Sequence, residues 1–150
     1  MAEVKIDHWP SGKLREMHWV SNGKLNGISK HWHQNDVVAE ESTYINGIRQ
    51  GPVTRWHENN TVSDKCVYVN GRIHGNYTTW YPNGTMQTTG EFEHGLRTGP
   101  HAEYYEDGKI KTIHHFHRNR LHGLSTEWDE NQKRIKSVVY YNGVQLRRLL

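Results

Sequence analysis

Histidine supplies most of the reactive side chains in this 150-residue chain, which has 12 of them. His114, His115 and His117 follow one another closely, with His101 and His122 nearby in sequence. A zinc ion needs three or four ligands that converge on one point. Because neighbouring side chains on a strand point to opposite faces, His114 is directed away from His115 and His117. The sequence therefore predicts no metal site and no bound cofactor.

The residues that could carry catalysis are few. Cys66 is the single cysteine, and an activated thiol needs an electropositive, accessible setting that the surrounding residues do not supply. Glu40 and Glu41 are adjacent, so on a strand they point to opposite faces and cannot share a substrate. The chain has no glycine-rich phosphate loop and no metalloprotease or nucleophile-elbow motif. We expect no catalytic residue and no enzymatic activity.

The glycines and aromatic residues recur every 24 residues, with Val69–Phe92 as the clearest unit. Such tandem similarity is typical of an array of stacked units. Columns that recur are expected to hold the fold. They comprise Gly27, Gly51, Gly75, Gly99 and Gly123; Trp32, Trp56, Trp80, Tyr104 and Trp128; and Tyr44, Tyr68, Phe92, Phe116 and Tyr140.

The 24-residue period indicates that the whole chain is a single repeat array. We expect an N-terminal partial repeat or cap and then five 24-residue repeats, followed by a C-terminal cap. The expected boundaries are 1–20, 21–44, 45–68, 69–92, 93–116, 117–140 and 141–150. The last stretch, VQLRRLL, is expected to fold over the final edge of the array.

Each repeat reads as two strands rich in β-branched and aromatic residues, separated by a turn such as Pro82-Asn83-Gly84. A three-residue loop with a bulge would pair Trp80 with Met86 and place the aromatic columns on one face with Cys66. In the fifth repeat the apolar residue slips to Ile135, which predicts a different loop or bulge there. The fold class predicted is all-β: an elongated, single, curved antiparallel sheet of tandem β-hairpins.

The segments VNGRIHG, TTWYPNG and EHGLRTGPHAEYYEDGKIK resemble the MORN-repeat variant of the antitoxin-like YwqK group. The resemblance covers Trp9 to Gly143. It implies tandem hairpins in one curved sheet, with roles in protein interaction, in phospholipid binding for some members and in toxin neutralisation for others. Arg118-Asn119-Arg120 departs from the Asn-Gly that the family pattern leads us to expect, which predicts a less regular last repeat.

Positions that vary between repeats are where function is expected. The mid-strand positions on the face opposite the tryptophan column change from basic to acidic along the chain, which could orient an elongated partner by complementary charge. We name these positions the candidate strip. Its residues are His31, His33, Arg55, His57, Tyr81, Glu103, Tyr105, Glu127 and Asp129. Because histidine gains charge in mild acid, the strip is also a hypothetical pH switch.

Composition and charge narrow the class of protein. The formal net charge is +3 and no basic stripe emerges, which argues against nucleic-acid binding. The start MAEVKIDHWP lacks an apolar signal sequence and no run is long enough to cross a bilayer. We therefore expect a soluble, cytoplasmic protein.

The function predicted is a non-catalytic scaffold that binds another protein. Two alternatives remain: an antitoxin or immunity protein that neutralises a toxin by binding it, and, with weaker support from the scattered charge, a peripheral phospholipid-binding module. Open sheet edges or array ends would also allow pairing with another copy.

Overall fold

The structure, a computed structural model, describes residues 1–149, and these form sixteen β-strands and no helix. The strands belong to one antiparallel sheet in hairpin order, which confirms the all-β, single-sheet prediction. No described segment forms a helix long and apolar enough to cross a membrane. The chain divides into two compact units, Met1–Arg72 (unit 1) and Ile73–Leu150 (unit 2), with Leu150 outside the described residues.

In unit 1 the strand order is β1-β2-β3-β4-β6-β7, with the short β5 paired to β4. The bounds are β1 Ala2–His8, β2 Leu14–Ser21, β3 Lys24–Trp32, β4 Val38–Ile45, β5 Ile48–Arg49, β6 Gly51–Trp56 and β7 Val62–Val69. The two-residue β8, Arg72–Ile73, follows.

In unit 2 the order is β9-β10-β11-β12-β14-β15-β16, with the short β13 paired to β12. The bounds are β9 Gly75–Trp80, β10 Met86–Glu93, β11 Leu96–Tyr104, β12 Ile110–His117, β13 Arg120–Leu121, β14 Gly123–Trp128, β15 Arg134–Tyr141 and β16 Val144–Arg148.

The long hairpin loops all have one geometry. Tyr81 N–H donates to Thr85 O at 2.8 Å and Gly84 N–H donates to Tyr81 O at 2.9 Å, which closes a three-residue loop. Its last residue, Gly84, has a φ of 86°, the left-handed conformation for which glycine is suited. Trp80 lies opposite Met86, as predicted. The same loop follows β1, β3, β6, β11 and β14.

The fifth repeat keeps this loop. Asp129 N–H donates to Lys133 O at 3.0 Å, and Gln132 takes the left-handed position with a φ of 61°. Trp128 lies opposite Arg134, at the position equivalent to that of Met86. The prediction of a different loop is therefore wrong. Ile135 is displaced because it occupies the bulge that every hairpin has.

The short connections between hairpins are two-residue turns with both residues in the left-handed region. Asn70 has a φ of 50° and Gly71 a φ of 75°, as a type I′ turn requires. Arg118 and Asn119 adopt the same conformation with φ of 49° and 67°, so the expected irregularity of the last repeat is wrong. Arginine takes this conformation at an energetic cost that asparagine largely avoids.

A β-bulge after each long loop determines which side chains share a face. Trp56 lies opposite Val62, but Arg55 lies opposite Asp64, so Ser63 is an extra residue in β7. The extra residue reverses the alternation along the strand. The prediction that the Trp column shares a face with Cys66 and the last aromatic column is therefore wrong.

The core of unit 1 is a row of small side chains. Val20, Ser29, Ser42, Val53 and Cys66 are all buried. Ser29 lies opposite Ser42, and Val53 lies opposite Cys66. In unit 2, Val138 and Ser137 are each 1% exposed. The tryptophans of the repeat column are only half-buried, so the tightest packing lies along the row of small residues.

The C-terminal segment extends the sheet. β16 pairs antiparallel with β15, with Tyr141 opposite Val144 and Val139 opposite Arg147. The prediction of a cap that folds over the edge is therefore wrong for residues 144–148, because a type I′ turn at Asn142-Gly143 keeps the chain in the plane of the sheet. Leu150, the final residue of the predicted C-terminal cap, lies outside the described residues.

We expect Arg118→Asn to stabilise the protein by up to about 1 kcal/mol, because asparagine tolerates the left-handed conformation better than arginine does. The measurement is the free energy of unfolding in a denaturant titration. Arg120→Asn, outside the turn, is the control and should not stabilise. A loss of stability in Arg118→Asn would contradict the turn geometry.

Candidate binding face

A row of ionisable side chains crosses unit 1 on the face that carries the buried row. Glu16 lies opposite His31, His31 opposite Glu40, Glu40 opposite Arg55, and Arg55 opposite Asp64. Directly opposite residues on neighbouring strands have side chains on the same face. Two residues of the candidate strip, His31 and Arg55, thus lie within a continuous row of potential partners.

Arg55 is held on two sides by carboxylates. Its Nε donates to Glu40 Oε2 at 2.6 Å and its Nη1 donates to Asp64 Oδ1 at 2.7 Å. Burial alone would lower the pKa of Arg55, but Glu40 and Asp64 outweigh it and raise that pKa. Burial would likewise raise the pKa of Glu40, but Arg55 and Arg49 outweigh it and lower that pKa. The guanidinium of Arg55 is therefore occupied by ion pairs within the protein.

Arg49 completes this network. It donates to Glu40 Oε1 at 2.7 Å. Its guanidinium lies 5.3 Å from the ring centre of Tyr44 and 5.2 Å from that of Tyr68, within range of cation–π attraction. Two members of the last aromatic column therefore pack around a half-buried cation.

Other strip residues join one repeat to the next. His33 Nε2 is bonded to Trp56 O at 2.8 Å, and Tyr81 and Tyr105 donate their hydroxyls to Tyr104 O and Trp128 O, each at 2.8 Å. His57 occupies the equivalent position of the second repeat.

The strip's last residue caps a loop. Asp129 Oδ1 accepts from Asn131 N–H at 3.0 Å and from Lys133 N–H at 2.9 Å. These bonds satisfy donors of the turn that would otherwise face solvent, which stabilises its conformation. Asp129, like His33, Tyr81 and Tyr105, therefore stabilises the fold through side-chain hydrogen bonds to the backbone.

Glu103 is an acidic residue of the candidate strip that has no ion-pair partner within residues 1–149. In unit 2 the equivalent row places Glu103 between Thr88 and Thr112 on the neighbouring strands. Its side chain is exposed and makes no ion pair within residues 1–149. Glu127, the other acidic member, bonds Lys136 at 2.7 Å, and this hydrogen bond raises the pKa of Lys136.

A groove beside Glu103 has a cavity of about 180 Å³. His101 lies between Phe92 and Phe116, with ring centres 5.4 and 5.0 Å apart and the rings edge to face. Its Nε2 bonds Glu91 O at 2.9 Å. The ring covers Gly90, where an added Cβ would lie 2.1 Å from Nδ1. Only glycine fits there.

The groove floor keeps its histidines neutral. Burial lowers the pKa of His101 and of His114. His114 Nδ1 and Thr112 Oγ1 have no hydrogen-bond partner among the described residues. Arg97, 4.1 Å from the ring centre of Phe116, brings a positive charge to the groove. The groove combines aromatic edges, one free carboxylate and one cation.

The groove was not identified from sequence, although a signal existed. The repeat pattern places Phe92 and Phe116 in a structural column, and the spacing of His101 suggests only a metal ligand. The signal is Gly90, in a column that has Ser42, Cys66, His114 and Val138 in the other repeats. A glycine in a column of side chains indicates that a neighbouring group occupies the space.

The C-terminal histidines do not gather around one point. His101 lies opposite His114, His115 Nδ1 is bonded to Leu124 O at 2.7 Å, and the rings of His117 and His122 lie 5.7 Å apart. Among the described residues the one group of three potential ligands is elsewhere, at Glu16, His18 and His31.

Cys66 is 4% exposed, and burial raises the pKa of its thiol. The thiolate is the reactive form of cysteine, so both properties suppress its reactivity. The prediction of a small buried thiol is confirmed.

Three stretches of the chain, residues 25–46, 73–94 and 97–118, match the profile of the MORN repeat variant. The protein is a MORN-repeat protein. Each matched stretch contains one long hairpin of the MORN sheet, from its first strand through its second. MORN repeats form a non-enzymatic repeat family that is generally associated with protein or membrane binding. The antitoxin-like YwqK group stays a prediction for this MORN protein. No curated protein matches the chain.

We expect Glu40→Gln to lower the free energy of unfolding by about 1–3 kcal/mol at pH 7, because it leaves Arg55 and Arg49 without their shared partner. The folded-state pKa of Glu40 lies below its ordinary value of 4.5. The contribution is therefore present above pH 4.5 and is lost as the pH falls through the folded-state pKa. Denaturant titrations at neutral and acidic pH measure both effects.

The neighbouring residue provides the matched control for this experiment. Glu41 points to the other face, where it pairs with Lys30 at 2.8 Å in a partly exposed ion pair. Glu41→Gln should cost less than about 1 kcal/mol. If both variants lost the same free energy of unfolding, the network around Glu40 would contribute no more to stability than the partly exposed ion pair of Glu41.

We expect the protein to lose stability as the pH falls from 7.5 to 5.5. The pKa of His101 is lower in the folded state than its ordinary 6.5, so below that value the unfolded state binds more protons. His101→Gln should lose less stability over this interval than the wild type, whereas His8→Gln, at an exposed position, should behave as the wild type. Identical pH profiles for all three proteins would contradict a buried neutral His101.

Proposed function

We propose that this MORN-repeat protein is a non-catalytic binding protein, and that it holds another protein by accepting a basic side chain of that partner at Glu103. The observation that carries the proposal is the contrast between two equivalent rows, 48 residues apart in sequence. The family's general association with protein or membrane binding supports the broader statement.

In unit 1 a cation is flanked by two anions. Arg55 lies between Glu40 and Asp64 and bonds both. In unit 2 the equivalent positions are Glu103 between Thr88 and Thr112. The central charge is thus reversed, and the two flanking carboxylates are replaced by hydroxyls. The fold leaves Glu103 without the ion pair that its counterpart has.

The surroundings of Glu103 suit a lysine or arginine of a partner. The edges and faces of Tyr77 and Phe92, whose ring centres lie 5.8 Å apart, line the same groove. Aromatic rings attract cations, and unit 1 already shows a guanidinium between two tyrosines. Because burial lowers the pKa of His101 and of His114, these imidazoles are neutral at pH 7 and add no positive charge to that of Arg97, whose guanidinium faces the ring of Phe116.

The size of the groove favours a side chain over a small-molecule substrate. Pockets for small molecules enclose roughly 300–1,000 Å³, whereas this cavity has about 180 Å³. A single large side chain inserted from a partner surface is a better match. The buried, unreactive Cys66 and the non-enzymatic family support a non-catalytic role.

The test is affinity selection of a random-peptide phage library on the immobilised full-length protein. We expect enriched peptides to contain lysine or arginine. Their synthetic versions, measured by fluorescence anisotropy, should bind Glu103→Gln about tenfold more weakly, equal to 1.4 kcal/mol. Glu106→Gln, an exposed carboxylate change in the neighbouring turn, is the matched control and should bind as the wild type does.

Other results would overturn the proposal. Enriched peptides without basic residues, or equal affinities for wild type and Glu103→Gln, would remove Glu103 as the recognition group. Absence of any enriched peptide, together with sedimentation of the protein on anionic phospholipid vesicles, would favour a membrane module instead.

A further inference from the structure

Two neighbouring strands of unit 1 bring three potential metal ligands together. Glu16 and His18 lie on β2 and His31 lies on β3, with Glu16 directly opposite His31. One atom from each lies within 4.8 Å of the other two. The three residues are 15 positions apart at most, but they meet through strand pairing.

The distances fit a tetrahedral ion. Glu16 Oε2 lies 3.5 Å from His18 Nε2 and 3.5 Å from His31 Nδ1. Zinc bonds to nitrogen and oxygen are about 2.0–2.2 Å long, which separates two ligand atoms of a tetrahedron by roughly 3.3–3.6 Å. Direct hydrogen bonds of a carboxylate with imidazole would be shorter, at about 2.7–3.2 Å. The carboxylate and the imidazoles are therefore spaced for an ion between them.

A buried hydroxyl orients the first imidazole. His18 Nδ1 lies 2.7 Å from Ser29 Oγ, and Ser29 is 2% exposed. When Nδ1–H donates to this oxygen, Nε2 carries the lone pair and faces Glu16. Metal-binding histidines usually donate their other ring N–H to such a partner, which fixes tautomer and orientation.

The remaining neighbours are compatible with a cation. Arg15 approaches the other carboxylate oxygen of Glu16, Oε1, at 3.4 Å, and it also pairs with Asp7. The rings of His18 and His31 are inclined at 64° rather than stacked, so their in-plane lone pairs can converge. The three side chains are partly exposed, which gives an ion access and leaves a fourth position for water.

We propose that Glu16, His18 and His31 form a site for a divalent transition-metal ion of the zinc class, with Ser29 as a positioning residue. Imidazole ligands select zinc, copper and nickel over magnesium and calcium, which take oxygen ligands. Because the ligands come from two strands, a bound ion would link β2 to β3. The site is independent of the binding role proposed for Glu103.

The test is calorimetric titration of the full-length protein with ZnCl2, combined with the visible absorption of added Co2+, which reports tetrahedral coordination. We expect one equivalent of Zn2+ to bind, a tetrahedral Co2+ spectrum, and no response to Mg2+. Ser29→Ala should weaken binding by about 10–100-fold, and Glu16→Gln and His31→Gln at least as much. Zinc should also raise the melting temperature of the wild type.

His117→Gln is the matched control, because His117 and His122 are adjacent imidazoles without a third ligand among the described residues. It should bind zinc as the wild type does. Melting temperatures without metal establish that each variant is folded. The proposal is overturned if Glu16→Gln binds zinc as tightly as the wild type, if His117→Gln alone abolishes binding, or if the wild type shows no stoichiometric binding.

Discussion

The β-bulge after each long hairpin loop is the constraint on which the arrangement of side chains depends. Without it, Trp56 would share a face with Cys66 and Tyr68. With one extra residue in the second strand, Arg55 and Asp64 come to lie side by side, and the tryptophan column is directed to the other face. The charge rows, the buried row of small side chains and the groove all follow from this reversal of alternation.

The two units use the resulting face differently. In unit 1 the charges neutralise one another, and Arg49 and Arg55 share the carboxylate of Glu40. Such partly buried pairs hold a particular register, because any slip would leave a charge without its partner. In unit 2 the same rows contain threonines and glycine, so aromatic rings and a free carboxylate remain accessible. The same backbone arrangement therefore supports a face whose charges are paired within the protein, in unit 1, and a face with an accessible carboxylate and aromatic rings, in unit 2.

Much of the backbone follows from local residue chemistry. Asn-Gly pairs predict tight turns, Pro82-Asn83-Gly84 predicts the three-residue loop, and β-branched runs predict strands. The position of the bulge in the second strand could not be predicted, because the residues found there have nothing in common except their place in the repeat. They are Arg15, Ala39, Ser63, Gln87, Lys111 and Ile135. Since the bulge decides the facing of every later residue, spacing along the chain does not reveal the hydrogen bonds and ion pairs of the candidate strip. These are made by His33, Arg55, Tyr81, Tyr105, Glu127 and Asp129. The cluster of Glu16, His18 and His31 depends on the register between strands, which spacing along one strand does not reveal.

The hydrogen bonds that run from one repeat to the carbonyl of the next have a consequence for how such a protein changes in evolution. His33, Tyr81 and Tyr105 each reach forward by 23 residues and no further. At these three junctions the hydrogen bond is thus made between adjacent repeats of the same unit. Duplication or loss of a whole repeat would create a junction of the same kind, so the length of the array can vary in steps of one repeat without redesign of the remainder.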